Sequence, residues 1–146
     1  MARHGRVATT AGVRPGAQTG GLPNYPNATL IDADFAGADL RKANLNGADL
    51  RRANLAGADL SLAYLVGADL RGANLDGANL DGAYLSGAKI GSATFRGASM
   101  REAMMGDADP SLEKPFDPPT TFQDADLEGA VFRVVDLNGV VFHRAN

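Results

Sequence analysis

An apolar residue returns every five positions from Leu30 to Met105 without a gap: Leu30, Phe35, Leu40, Leu45, Leu50, Leu55, Leu60, Leu65, Leu70, Leu75, Leu80, Leu85, Ile90, Phe95, Met100 and Met105. Alanine stands two residues before each of them. A period of five excludes most of what a chain can become. On an α-helix, at about 100° per residue, a five-residue step turns each apolar position by about 140° and scatters them around the cylinder. The same window is loaded with Gly, Asn and Asp, which are poor helix formers. A flat strand fails as well, because residues five apart point to opposite faces. The period is satisfied if each five-residue unit is a short extended segment followed by a corner, so that every Ala-x-Leu faces one interior. The chain then winds as a parallel β-solenoid, and repeats of this kind decide a fold before any other reading.

The residue two after each apolar centre suggests the number of sides. Gly37, Gly47, Gly57, Gly67, Gly77, Gly87 and Gly97 fall every ten residues, and the alternate corners carry Asp32, Lys42, Arg52, Leu62, Gly72, Gly82, Ser92 and Glu102. Two alternating corner types stack as columns only on a coil with an even number of sides. Tyr64 with Tyr84, Asp49 with Asp69, and Arg51 with Arg71 recur at twenty, which predicts four sides and a twenty-residue coil. Glycine at alternate corners is expected to mark turns that need a positive φ.

The A(D/N)LxG beat resembles the pentapeptide repeat family. That resemblance implies an all-β fold, a right-handed parallel quadrilateral β-helix, here of about five coils with an irregular N-terminal arm. Four segments are expected: an arm over 1–27, four coils over 28–107, a Pro-rich loop over 108–119, and a final coil with an open C-terminal end over 120–146. The loop breaks the beat with Pro110, Pro115, Pro118 and Pro119, and the beat resumes in a shifted phase at Phe122, Leu127, Phe132, Leu137 and Phe142. The repeats appear free of proline on this reading, as a ladder that needs its N–H donors requires.

The chain has 146 residues, no cysteine and a formal charge of −3, the size of one domain with neither disulfide nor thiol chemistry. No apolar run approaches a membrane span and residues 1–27 lack the apolar centre of a secretion signal, so a soluble, cytoplasmic protein is the default expectation. Catalysis finds little support. The two histidines, His4 and His143, stand in the arm and near the last coil. No nucleophile set, metal-ligand spacing or phosphate-binding loop appears, and neither a metal nor a cofactor is expected.

Outward positions flank each centre. Asp34, Asp39, Asn44, Asp49, Asn54, Asp59, Asp69, Asn74 and Asn79 precede it. Family resemblance implies one role for such a surface, a mimic of DNA that binds gyrase or topoisomerase IV. The alternative is that Asp and Asn bond nearby backbone. Charge favours the alternative: from Ala28 to Asp107 ten acids meet eight bases, and Arg41, Arg51 and Arg71 sit two residues after Asp39, Asp49 and Asp69. A mimic should present a one-signed field. Direct nucleic-acid binding is not expected either, since acids intersperse the bases.

Apolar residues at outward positions are the candidate partner contacts. Leu62, Tyr64, Val66 and Tyr84 are expected to cluster around one corner, with Val131, Val134 and Val141 outside the final coil. In the arm, Arg3, Arg6 and Arg14 stand without an acid and are candidates for docking on a neighbour. The last coil stops in mid-repeat, which predicts pairing with a partner chain or a second copy, or else a truncated chain. The expected function is a non-enzymatic structural or interaction scaffold, a rigid rod within a larger assembly, of which a virus particle is one example.

Overall fold

The computed structural model describes residues 23–110, 117–133, 137 and 139–146. Single parallel bridges, not continuous strands, hold it together. They form four ladders, and each connects residues twenty apart through most of its length. Side 1 carries Asn24, Asn44, Tyr64, Tyr84, Met104 and Val131; side 2, Thr29, Asp49, Asp69, Lys89 and Asp109. Side 3 carries Asp34, Asn54, Asn74, Thr94, Thr121 and Val141; side 4, Asp39, Asp59, Asn79, Ser99 and Asp126. Four sides and a twenty-residue register follow directly.

Between the sides the chain turns. Each centre carbonyl accepts the N–H of the alanine three residues on, as in Ala68 N to Leu65 O at 3.0 Å. The centre and corner N–H groups donate to the next coil (Leu65 N to Tyr84 O, 2.7 Å; Gly67 N to Ser86 O, 2.9 Å), and the outward N–H to the previous one (Tyr64 N to Ala43 O, 2.9 Å). From Leu40 through Met105 every centre is buried, as is every preceding alanine from Ala43 through Ala103, and these side chains form one continuous core. Alanine sits where two backbones approach across a narrow interior, and leucine fills the space that remains.

Three sequence expectations need correction. The ladder begins within the expected arm: Asn24 pairs with Asn44, and Tyr25 packs against the core as the first centre. Pro23 stands where later repeats have alanine. That alanine's N–H closes the turn from a preceding centre, and the first described rung loses little by lacking it. Pro23 and Pro26 therefore lie in the repeats, Pro26 entering the first turn where its fixed φ suits. The loop is also shorter than 108–119, since Ala108 is buried and Asp109 still pairs with Lys89. Pairing resumes with Thr94 to Thr121, twenty-seven positions on and seven more than the usual twenty. The excursion thus leaves side 2 and re-enters side 3 with the columns of sides 3, 4 and 1 preserved, and buried Thr120 fastens the return by donating to the Ile90 carbonyl at 2.7 Å.

The third correction concerns the corners. Positive φ is required at both corner types: ten non-glycine residues, Leu62 and Arg52 among them, take φ of 55–60°, alongside glycines at 61–78°. Only the residue type alternates, while the backbone is the same. At Gly77, φ is +67° and a Cβ would meet nothing within 4 Å, so Gly77→Ala isolates the conformational cost. We expect a loss of about 1 kcal/mol, checked by chemical denaturation. Among the described residues no helix is long and apolar enough to cross a membrane.

Candidate functional site

Four of the five N–H groups in a repeat are used by the backbone; the fifth, on the residue after the centre, is not. The outward Asp or Asn two residues earlier accepts it. Asp39 Oδ1 takes the Arg41 N–H at 3.2 Å, Asn44 Oδ1 that of Asn46 at 3.2 Å, Asp59 Oδ1 that of Ser61 at 3.0 Å, and Asn79 Oδ1 that of Asp81 at 3.0 Å. This is the side-chain-to-backbone turn that Asp and Asn favour. Amide side chains also bridge coils, as from Asn44 to Asn24 and from Asn54 to Asp34, both at 3.0 Å. The recurrent Asp/Asn is explained by the fold alone.

Many of the aspartates are also paired with arginine. Arg41, Arg51 and Arg71 each grip the aspartate two residues back with two nitrogens, at 2.5–2.8 Å. Arg52 reaches Asp32 on the preceding coil at 2.7 Å through both contacts, and Arg101 and Arg144 bind Asp126 and Asp124. The Arg41 hydrogen bond holds the Asp39 carboxyl down to about 2, and arginine bonds likewise lower Asp32, Asp124 and Asp126. At Asp69 burial pushes the carboxyl up, but the bonds from Arg71 outweigh it and the net shift is downward. Carboxyls depressed in the folded state contribute stability that is present above their unfolded value, about 4, and lost as pH falls through the folded one. We therefore expect the melting temperature to decline progressively between about pH 4 and pH 2. A flat profile there would contradict the pairing.

Side 1 departs from this rule. At Tyr64, Tyr84, Met104 and Val131 the outward residue has no acceptor for the fifth N–H. At the first, Asn46 on the preceding coil takes over, accepting the Val66 N–H at 2.9 Å. These four side chains stand in one ladder and are 45, 37, 44 and 37% exposed. Tyr64 and Tyr84 stack with ring centroids 5.2 Å apart and planes 5° from parallel. Leu62 and Val66, also exposed, edge the Tyr64 rung from either flank. At about 4.8 Å per rung the apolar column runs roughly 14 Å.

The expected cluster around a corner is instead a stripe along a side. Val131 joins it, Val141 stands on side 3 beside Thr121, and Val134, Arg3, Arg6 and Arg14 lie outside the described residues. Sequence reading missed Met104. It precedes the centre Met105 and sits forty residues after Tyr64, so tracing the column at twenty would have found it. In the last coil Leu127, Phe132, Val140 and Phe142 pack partly buried against the core, and Phe122 stacks on Phe142 at 5.2 Å. Among the described residues no group of three or more His, Asp or Glu could hold a metal ion.

A sequence profile described as Pentapeptide repeats matches residues 28–65, 63–102, 78–109 and 120–146, in eight copies. Among solved structures, a pentapeptide repeat protein of the Arabidopsis thaliana thylakoid lumen is 32% identical, with a TM-score of 0.53, over 75% of this chain and 68% of that one. Another, from Nostoc PCC 7120, is 32% identical over 74% of each chain, with a TM-score of 0.41. QnrB1, a plasmid-mediated fluoroquinolone resistance protein, is 22% identical over 82% of this chain and 70% of that one, with a TM-score of 0.37. No curated protein matches. With its beat, its four ladders, the repeat profile and the Arabidopsis structure in agreement, the chain belongs to the pentapeptide repeat family, whose fold is the right-handed quadrilateral β-helix.

Proposed function

We propose that the chain is a non-enzymatic scaffold, a rod of about five coils that presents side 1 to protein partners. One observation carries the reading. On the other three sides the outward position holds Asp, Asn, Ser, Thr or Lys, with Val141 at the last rung of side 3 the one apolar exception among the described residues, whereas on side 1 it holds Tyr64, Tyr84, Met104 and Val131 in unbroken succession. Replacing a useful backbone acceptor by an exposed apolar side chain gains nothing for a lone rod. Contiguous exposed apolar surface of this kind suits a contact with another protein. A rod with such a side fits a place in a larger assembly, a virus particle being one setting.

A DNA mimic acting on gyrase or topoisomerase IV would need an uncompensated acidic face, and the paired Asp and Arg side chains run against that. A gyrase supercoiling assay is expected to be unchanged by the protein. The direct test replaces Tyr84 or Met104, and separately Asn74 on side 3, with a photo-crosslinking amino acid in the source cells. Protein adducts should form from the first two and not from the third. Equal labelling from both sides, or none from either, would remove the basis for the reading.

A further inference from the structure

We infer that side 1 is self-complementary: it pairs with side 1 of a second copy, the two rods antiparallel about a twofold axis in the interface plane, midway between the Tyr64 and Tyr84 rungs. The inference rests on side 1 being a protein contact surface and names its occupant. An isologous contact requires each residue to meet its counterpart in a reversed order. Six rungs follow one another on this side, from Asn24 to Val131. Reversal about their midpoint lays Tyr64 on the second copy's Tyr84 and Asn44 on its Met104.

The corner column along one edge of this side selects the register. In order it reads Lys42, Leu62, Gly82 and Glu102. Reversed about the same midpoint, Lys42 faces the second copy's Glu102, and the twofold makes the pair twice. Among the described residues neither side chain has an ion-pair partner in its own chain, in contrast to the arginines beside them. Arg41 and Arg101, one residue further round the corner, are already bound by Asp39 and Asp126 on side 4. Between the two charges, Leu62 leans along the column. Its Cδ2 lies 2.8 Å from where a Gly82 Cβ would stand, so only glycine leaves it that space. The two Leu62 side chains therefore meet beside the axis.

Moving the axis by half a rung in either direction separates Lys42 from Glu102. A parallel arrangement sets Lys42 opposite Asn46 and Glu102 opposite Gly106, with no charge pair. Six rungs span only about 24 Å, so the interface is at the small end of specific contacts and the dimer is weak.

Sedimentation equilibrium of the full chain up to about 1 mM tests this, with K42E, E102K and the double variant K42E/E102K. The unmodified chain should show a monomer–dimer equilibrium. Each single reversal removes two ion pairs and creates two like-charge contacts, which should weaken association roughly tenfold. The double variant should recover it to within about twofold. Circular dichroism of the single variants should match that of the unmodified chain, since both positions keep non-glycine residues at the same φ. A chain that stays monomeric throughout, single reversals without effect, or a double variant no better than the singles would each overturn the antiparallel pairing. A monomeric chain that still crosslinks a different protein through Tyr84 would overturn the dimer and leave side 1 as a contact surface. A monomer without adducts would end both.

Discussion

Leu60→Asp is expected to leave the chain unfolded at 25 °C. Leu60 is fully buried, flanked along the stack by Leu40 and Leu80, which are equally enclosed. An aspartate there forfeits the leucine contacts and puts a carboxyl among apolar side chains with no donor to receive it. Truncation alone costs about 2–5 kcal/mol, and an unpaired buried polar group adds about 1–3 kcal/mol, a sum comparable to the whole stability of a typical domain. Arg71→Ser is the matched control. It removes a pair whose side chains still reach solvent, and exposed or part-exposed pairs contribute about 1 kcal/mol or less. Circular dichroism and urea titration of the two variants separate inside from outside; similar midpoints would contradict the assignment.

Ala68→Leu should be the next most damaging change, although it adds apolar surface. Ala68 is fully buried between Ala48 and Ala88, and its N–H closes the turn to Leu65 at 3.0 Å. Three extra carbons have nowhere to go, because the same column is occupied by alanine on both neighbouring coils and the coils are tied by backbone bonds. Overpacking of this degree costs about 3 kcal/mol, or roughly 10 °C in melting temperature for a domain of this size. Scanning calorimetry would show it. A variant as stable as the unmodified chain would mean that the interior is looser than the continuous core implies.

Much of this was legible in the residues themselves. Every fifth residue must share an environment, neither helix nor flat strand can provide that, and the recurrence of Tyr, Asp and Arg at twenty gave four sides. The ladders from Asn44 to Met104 follow that register. Less legible were features that depend on which donors and acceptors are already used. Pro23 looked like a repeat breaker, yet the N–H it lacks would have closed a turn from a preceding centre. Glycine alternation looked like a change of backbone, yet Lys42, Arg52 and Leu62 take the same positive φ. Charge already favoured backbone bonding for the Asp/Asn columns, but which donor they take is visible only once the fifth N–H of each repeat is counted.

The candidate surface shows the same division. Leu62, Tyr64, Val66 and Tyr84 could be singled out as apolar residues in outward positions, but whether they ringed a corner or lined a side depended on where the turn begins. Met104 was hidden by its neighbour, since Met105 satisfies the beat and one methionine beside another draws no notice. Val131 joins the column only because the excursion after Asp109 adds seven residues without shifting the sides. No spacing rule anticipates that number.

The register across the excursion is therefore the central claim, and a distance tests it directly. Because the chain has no cysteine, spin labels can be placed singly at Asp39→Cys and Asp126→Cys, two positions on side 4 separated by four ladder steps through Asp59, Asn79 and Ser99. Double electron–electron resonance on the dilute protein should give a narrow distribution centred at about 19 Å, four steps of about 4.8 Å. A broad distribution, or a distance beyond about 30 Å for these residues eighty-seven positions apart, would contradict a four-sided coil that keeps its columns past the excursion.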